Sequence, residues 1–238
     1  MLFFYVRHGD PIYSPDSLTP FGHRQAEAVG RMLSHYRIDT IYASTSERAK
    51  MTAAPLAEIL KKDVTLLDFA NEGHAWQELT CYSEALGTNT WLFNAPEMKE
   101  LFHEPDFMAL GERWYEHPAI KPSSFRDKDY KSAIDRIQRG SDELFESLGY
   151  KRVGVGKYKV IDGNNRRVAM FAHQGFGLAF LSAIVGIPYP VFGTHFDICT
   201  TGVTVIEFND INGYAYPRIL ELSSVGHLYK ESLPTRFS

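Results

Sequence analysis

Apolar residues fall along this chain in short runs, and two of those runs end alike. Leu2-Phe3-Phe4-Tyr5-Val6 leads into Arg7-His8-Gly9, and Val168-Ala169-Met170-Phe171-Ala172 leads into His173, with Gly175 close behind. Neither run alternates with polar residues, so each predicts a strand covered on both faces, as in a parallel sheet clothed by helices. The first is expected near the centre of its sheet.

Between the two runs the periodicity shifts repeatedly. Residues 10–18 are polar and Pro-containing and read as a loop. Thr19-Pro20 then reads as an N-cap with Pro at the first helical position, followed by Ala26, Val29 and Leu33 at helical spacing. Residues 40–43 predict a second strand, which passes through Ser44-Thr45-Ser46 into a helix carrying Ala53, Leu56 and Leu60 on one face, with Arg48 in its first turn. Val64, Leu66 and Leu67 mark a plausible third strand. This strand-helix alternation implies right-handed crossovers and a mainly parallel sheet, with any ligand beyond the carboxyl ends of the strands.

The alternation lapses over residues 80–150, an aromatic and charged stretch with Pro at 96, 105, 118 and 122. It closes in a predicted helix carrying Ile134, Ile137, Leu144 and Leu148. We read it as a cap inserted over the site, in a single domain spanning 1–238. Residues 158–161 and 168–172 flank Asp162-Gly163-Asn164-Asn165, whose turn chemistry predicts a hairpin joining them. Residues 178–185 predict a helix stopped by Gly186 and Pro188, and residues 203–208 and 219–222 a closing antiparallel pair. The expected architecture is a three-layer α/β/α sandwich around a mainly parallel sheet.

Composition narrows the partners. With 25 basic and 29 acidic residues the net charge is −4, which disfavours a nucleic acid or an anionic membrane as partner. An anionic ligand would need a local positive cluster. Cys81 and Cys199 stand outside any zinc or Cys-x-x-Cys spacing, and no apolar stretch has the length of a membrane span or the flanks of a signal peptide. A reduced, cytoplasmic protein is the expectation, with a single disulfide left open.

His8 and His173, each at a strand end, are the chemical candidates. A neutral imidazole attacks phosphorus when one ring nitrogen is free and the other is held in place. The transferred phosphoryl group then needs fixed donors, for which Arg7, Arg48 and His173 are available. Strict strand alternation would turn Arg7 and His8 to opposite faces, and Gly9 is expected to permit the break that lets both serve one pocket. The reaction also needs an acid with a raised pKa, and Glu72 in Asn71-Glu72-Gly73-His74 is the choice, with Glu78 in reserve.

Together these residues resemble the histidine phosphatase superfamily, the phosphoglycerate-mutase-like group, in its smaller-insertion branch, branch 1. Phe4-Tyr5-Val6-Arg7-His8-Gly9 looks like its opening strand and motif, and Leu18-Thr19-Pro20-Phe21-Gly22 with Gln25-Ala26 like its first helix start. Ile41-Tyr42-Ala43-Ser44 with Arg48-Ala49 and Thr52-Ala53 is similar to the arginine-bearing unit. Asn71-Glu72 aligns with the family's acid and Ala172-His173 with its second histidine.

The resemblance implies His8 as the phosphorylated nucleophile, Arg7, Arg48 and His173 as the phosphate pocket, Glu72 as the proton donor, and no metal or other cofactor. Ser14, standing where many members carry Asn, and Gln174, intervening between His173 and Gly175, would join Arg7, Arg48 and His173 in holding a small phosphorylated substrate. Residues 71–78, with Trp76 among them, differ from the mutases' version of the segment, which favours a phosphatase over phosphoryl transfer between substrate positions. A non-catalytic phosphate-binding module is the reading from another class.

Three signals receive plainer readings. Gly154-Val155-Gly156-Lys157 precedes a strand instead of opening a helix and is read as a turn. The remaining histidines lack metal-ligand spacing. Trp91, Phe93, Trp114, Tyr115 and Phe125 are open to three uses: a pocket wall, a homodimer contact, or packing of the insertion on the sheet.

Overall fold

The alternating side chains of Leu2–Arg7 explain the architecture. Phe3 and Tyr5 enter one apolar cluster, with Phe145, Phe176 and Phe180, while Phe4 and Val6 enter another, with Val29, Leu33 and Leu56. A strand apolar on both sides must be covered on both sides. The computed structural model, which describes residues 1–120 and 128–235, accordingly places helices Pro20–Ser34 and Glu47–Leu60 over one face of the central sheet. Helices Tyr130–Ser147 and Gly175–Val185 cover the other, which gives three α/β/α layers.

The sheet has six strands, in the order Arg218–Ser224, Val203–Glu207, Leu2–Arg7, Arg167–Ala172, Thr40–Ser44, Val64–Leu67. Val203–Glu207 runs against both of its neighbours and the others run together. Leu2–Arg7 lies inside the sheet as expected, with Arg7 level with Ala172. The register brings the two histidine-bearing strand ends side by side.

Local signals set the helix ends. Thr19 Oγ1 accepts a hydrogen bond from the Gly22 amide at 2.9 Å, and Pro20 opens the helix. Gly186 ends helix Gly175–Val185 at φ +73, a conformation that glycine adopts without penalty. Glycine at position 9 has a different cause from the one expected. Its φ is not positive, but a Cβ there would lie 2.7 Å from the carbonyl oxygen of Gly22. The glycine therefore admits the first helix against the loop that follows the first strand. Gly9→Ala should cost about 1–3 kcal/mol of stability, read from chemical denaturation midpoints, because the obstructing atom is backbone and cannot rotate away.

Two expectations differ. Residues 10–18 form a hairpin, Pro11–Tyr13 with Asp16–Leu18, rather than a loop. The hairpin expected across Asp162-Gly163-Asn164-Asn165 is absent: Lys157–Val160 pairs back with Tyr150–Gly154, around Val155 and Gly156. Arg167–Ala172 pairs instead in parallel with Leu2–Arg7, because a run apolar on both faces is buried only within the main sheet. The turn reading of Gly154 to Lys157 thus holds.

The 80–150 stretch contains a hairpin, Thr80–Ser83 with Thr88–Trp91, helices Pro96–Phe102 and Pro105–Ala109, a 3-10 segment Gly111–Glu116, and Tyr130–Ser147. Phe93 and Trp114 are buried in the same apolar cluster as Phe3, and Tyr115 packs against it, so packing accounts for these three. Phe125 and Pro122 lie outside the described residues. Cys81 and Cys199 are not bonded to each other. No single helix among the described residues is long and apolar enough to cross a membrane.

Candidate active site

At the carboxyl ends of the parallel strands lies a cavity of about 660 Å³ whose walls include Arg7, His8, Arg48, Glu72 and Gln174. His8 stands just past the end of its strand, where its amide still donates to Ala172 O at 2.9 Å. Its Nδ1 lies 2.7 Å from the carbonyl oxygen of Gly9. A carbonyl only accepts, so Nδ1 carries the proton of the neutral ring and Nε2 keeps its lone pair. Burial, with the charge of Arg7 and to a lesser degree Arg48, pushes the His8 pKa down to about 3, so the ring is neutral over most of the pH range.

His173 is the mate of His8, their ring centroids 5.2 Å apart. Its backbone is pinned by Tyr5, whose hydroxyl donates to His173 O at 2.7 Å and accepts from His173 N at 3.1 Å. Its Nε2 meets Ser44 Oγ at 2.8 Å and Ser46 Oγ at 3.1 Å. Burial, ahead of the nearby His8 and arginines, holds it well below the ordinary histidine range.

The Arg7 guanidinium is fixed by Nη1 donating to Ile198 O at 2.6 Å. Arg48 is fixed by Asp16, whose Oδ1 accepts from Nη1 at 2.7 Å while its Oδ2 accepts from the Glu47 amide at 2.9 Å. Asp16 therefore caps the helix start and aims its arginine together. Arg7 Nε, Arg48 Nε and His173 Nδ1 are buried without a partner among the described residues. Unpaired buried donors are costly, and an anion drawing bonds from both guanidinium groups and the second imidazole would satisfy them.

Glu72 begins helix Glu72–Leu79, capped by Asn71 Oδ1 accepting from Gly73 N at 2.8 Å. Its carboxylate accepts from the amides of Gly175 at 3.0 Å and Phe176 at 2.8 Å, at the amino end of helix Gly175–Val185. Burial outweighs those bonds and the two arginine charges, and its pKa is raised. Glu78, the reserve candidate, points elsewhere and is paired with Arg136.

Ser14 sits exposed at the hairpin tip, and its neighbours Tyr13 and Asp16 are the residues that reach the cavity. Gln174 reaches it too, with Nε2 bonded to Asp197. Among the described residues no group of three or more His, Cys, Asp or Glu is placed to hold a metal ion. The supporting roles of Asp16, Ser46 and Tyr5 escaped the sequence reading. No local signal in the sequence marks them: Ser46 holds the N-cap position without a side-chain cap bond, and the distant Asp16 receives the Glu47 amide instead.

The histidine phosphatase superfamily (branch 1) model matches residues 3–116, the part that carries Arg7, His8, Arg48 and Glu72. Residues 3–116 belong to the histidine phosphatase superfamily. No curated protein matches the chain. Among solved structures the chain resembles a phosphoserine phosphatase from Entamoeba histolytica, at 17% identity and a TM-score of 0.57, over 95% of this chain and 98% of that one. It also resembles a mycobacterial glucosyl-3-phosphoglycerate phosphatase, at 17% identity and 0.59, over 94% and 99% of the two chains. An alpha-ribazole phosphatase from Shigella flexneri is similar at 17% identity and 0.58, over 94% and 96%. Such likeness shows that the chain shares the fold of these proteins over nearly its whole length.

Proposed function

We propose that the protein is a phosphatase that hydrolyses a small phosphomonoester by two displacements at phosphorus, with a phosphohistidine at His8 between them. The observation that carries this reading is the His8 ring, its Nδ1 tied to Gly9 O and its Nε2 left with a lone pair, in the same cavity as two arginines and a carboxyl of raised pKa. In the first displacement Nε2 bonds to phosphorus, the ester P–O bond breaks, and the Glu72 carboxyl gives its proton to the departing oxygen. In the second, the Glu72 carboxylate takes a proton from water as the water oxygen bonds to phosphorus. The P–N bond breaks, and its electron pair returns to His8.

Arg7, Arg48 and His173 spread the equatorial charge in both steps, by electrostatic stabilisation in a sheltered site. When Ser44 and Ser46 donate to His173 Nε2, its Nδ1 carries the proton and becomes a donor to the anion. Similarity to proteins named as phosphatases supports hydrolysis over transfer.

The scheme calls on side chains alone. Purified protein should therefore turn over a phosphomonoester panel in ¹⁸O-water at the same rate with and without excess chelator, and place label in the released phosphate. Mass spectrometry of the products decides the point. Unlabelled phosphoryl groups returned to substrate would indicate a mutase, and binding without any turnover a phosphate-reading module.

A further inference from the structure

The cavity extends well beyond what a phosphate needs, and its outer part has a distinct character. Glu72 and Trp76 are four residues apart on one helix, hence on the same face, and both line the cavity. Trp76 is 42% exposed and meets Trp91 edge to face, with centroids 5.0 Å apart. Trp91 in turn lies on the first turn of helix Gly175–Val185, where a Cβ at Gly175 would come within 2.2 Å of its ring. It stacks with Phe93, their planes 7° apart. The inner tryptophan is thus held rigidly, and the outer one offers its free surface to the cavity.

Charge is distributed just as unevenly. The cations among the lining residues are Arg7 and Arg48, the pair assigned to phosphate, and the carboxylates are Asp16 and Glu72. The rest of the outer wall is neutral, made of Asn71, Gly73, Trp76, Trp91, Gln174 and Tyr13.

Resting on the function proposed above, we infer that the leaving alcohol carries a flat, uncharged aromatic ring and no second anionic group. An acid that protonates the ester oxygen must touch it, so the carbon substituent on that oxygen emerges beside Glu72, one helical turn from Trp76. A ring there finds the exposed tryptophan surface. A carboxylate or second phosphate there finds no cation among the described lining residues and faces the carboxyl of Glu72. The recognition is therefore positive for a planar apolar group and negative for a doubly charged substrate.

Phosphonates, which bind without turnover, test this by calorimetry on the full chain. Benzylphosphonate should bind at least about tenfold tighter than methylphosphonate, the order expected of one aromatic contact with its buried area. Phosphonoacetate should bind no tighter than methylphosphonate. Trp76→Ala should reduce the benzyl preference to below about threefold, while Trp76→Phe should retain most of it. Equal affinities in the wild type, a preference for phosphonoacetate, or an unchanged benzyl preference in a folded Trp76→Ala protein would each overturn the inference; the wild-type series decides even if that variant fails to fold.

Phenyl phosphate turnover is scored separately. Benzyl preference without hydrolysis rejects the proposed function and leaves the ring site standing, whereas hydrolysis without preference does the reverse. Failure of all three phosphonates to bind, with no phenyl phosphate turnover, rejects both.

Discussion

A His8→Ala protein is expected to lose phosphomonoester turnover by about four orders of magnitude or more, the scale on which removal of a nucleophile is felt in covalent catalysis. His8 is the imidazole among the lining residues, and its Nε2 keeps a lone pair beside Arg7 and Arg48. Rapid quenching of the wild type with ³²P-labelled substrate should trap an acid-labile, base-stable phosphoprotein, and the variant should give none. Circular dichroism should show the variant folded, since among the described residues the imidazole's hydrogen bond is to the adjacent residue's carbonyl. Turnover within tenfold of wild type would remove His8 from the chemistry.

The same residue sets an expectation for pH. A histidine of ordinary pKa would become protonated, and lose its nucleophilic lone pair, as pH falls through 6.5. With its pKa held at about 3, His8 stays neutral through mildly acidic conditions, so kcat/KM should survive at pH values where an exposed histidine would already be charged.

Glu72→Gln should lower kcat by about 10²–10⁴-fold, the usual weight of a positioned acid-base group. The loss should be largest for alkyl phosphates and smallest for p-nitrophenyl phosphate, whose leaving oxygen needs little protonation. That split matters because Glu72 also receives the Gly175 and Phe176 amides, and an amide in its place would mispair with one of them. A merely structural role would slow all substrates alike. The raised pKa of Glu72 fixes the sign of the pH effect: the acid form is consumed as pH rises through it, so kcat/KM of the wild type should fall on the alkaline side, and that limb should vanish in the variant.

Much of the scaffold was legible because burial on two faces leaves an unmistakable trace. Phe3, Phe4, Tyr5 and Val6 cannot be read as a half-exposed strand, and Thr19-Pro20 announces its helix by cap chemistry alone. Arg7, His8 and His173 stood out as candidates because each sits where an apolar run stops. What stayed hidden depends on long-range contact. The 162–165 turn residues look like a hairpin locally, yet sheet burial claims residues 167–172 for a different partner. Asp16 resembles any surface carboxylate until helix Glu47–Leu60 docks beside it. Gly9 is explained only by Gly22, across a gap that no local propensity describes.

The segment beside the site shares one apolar interior with the sheet: Phe93 and Trp114 belong with Phe3 and Phe145. Swinging that segment aside as a rigid flap would wet the common interior at about 25 cal/mol for each Å² uncovered. The described part of that segment is therefore held against the sheet, and what the cavity accepts is set by the side chains around its opening.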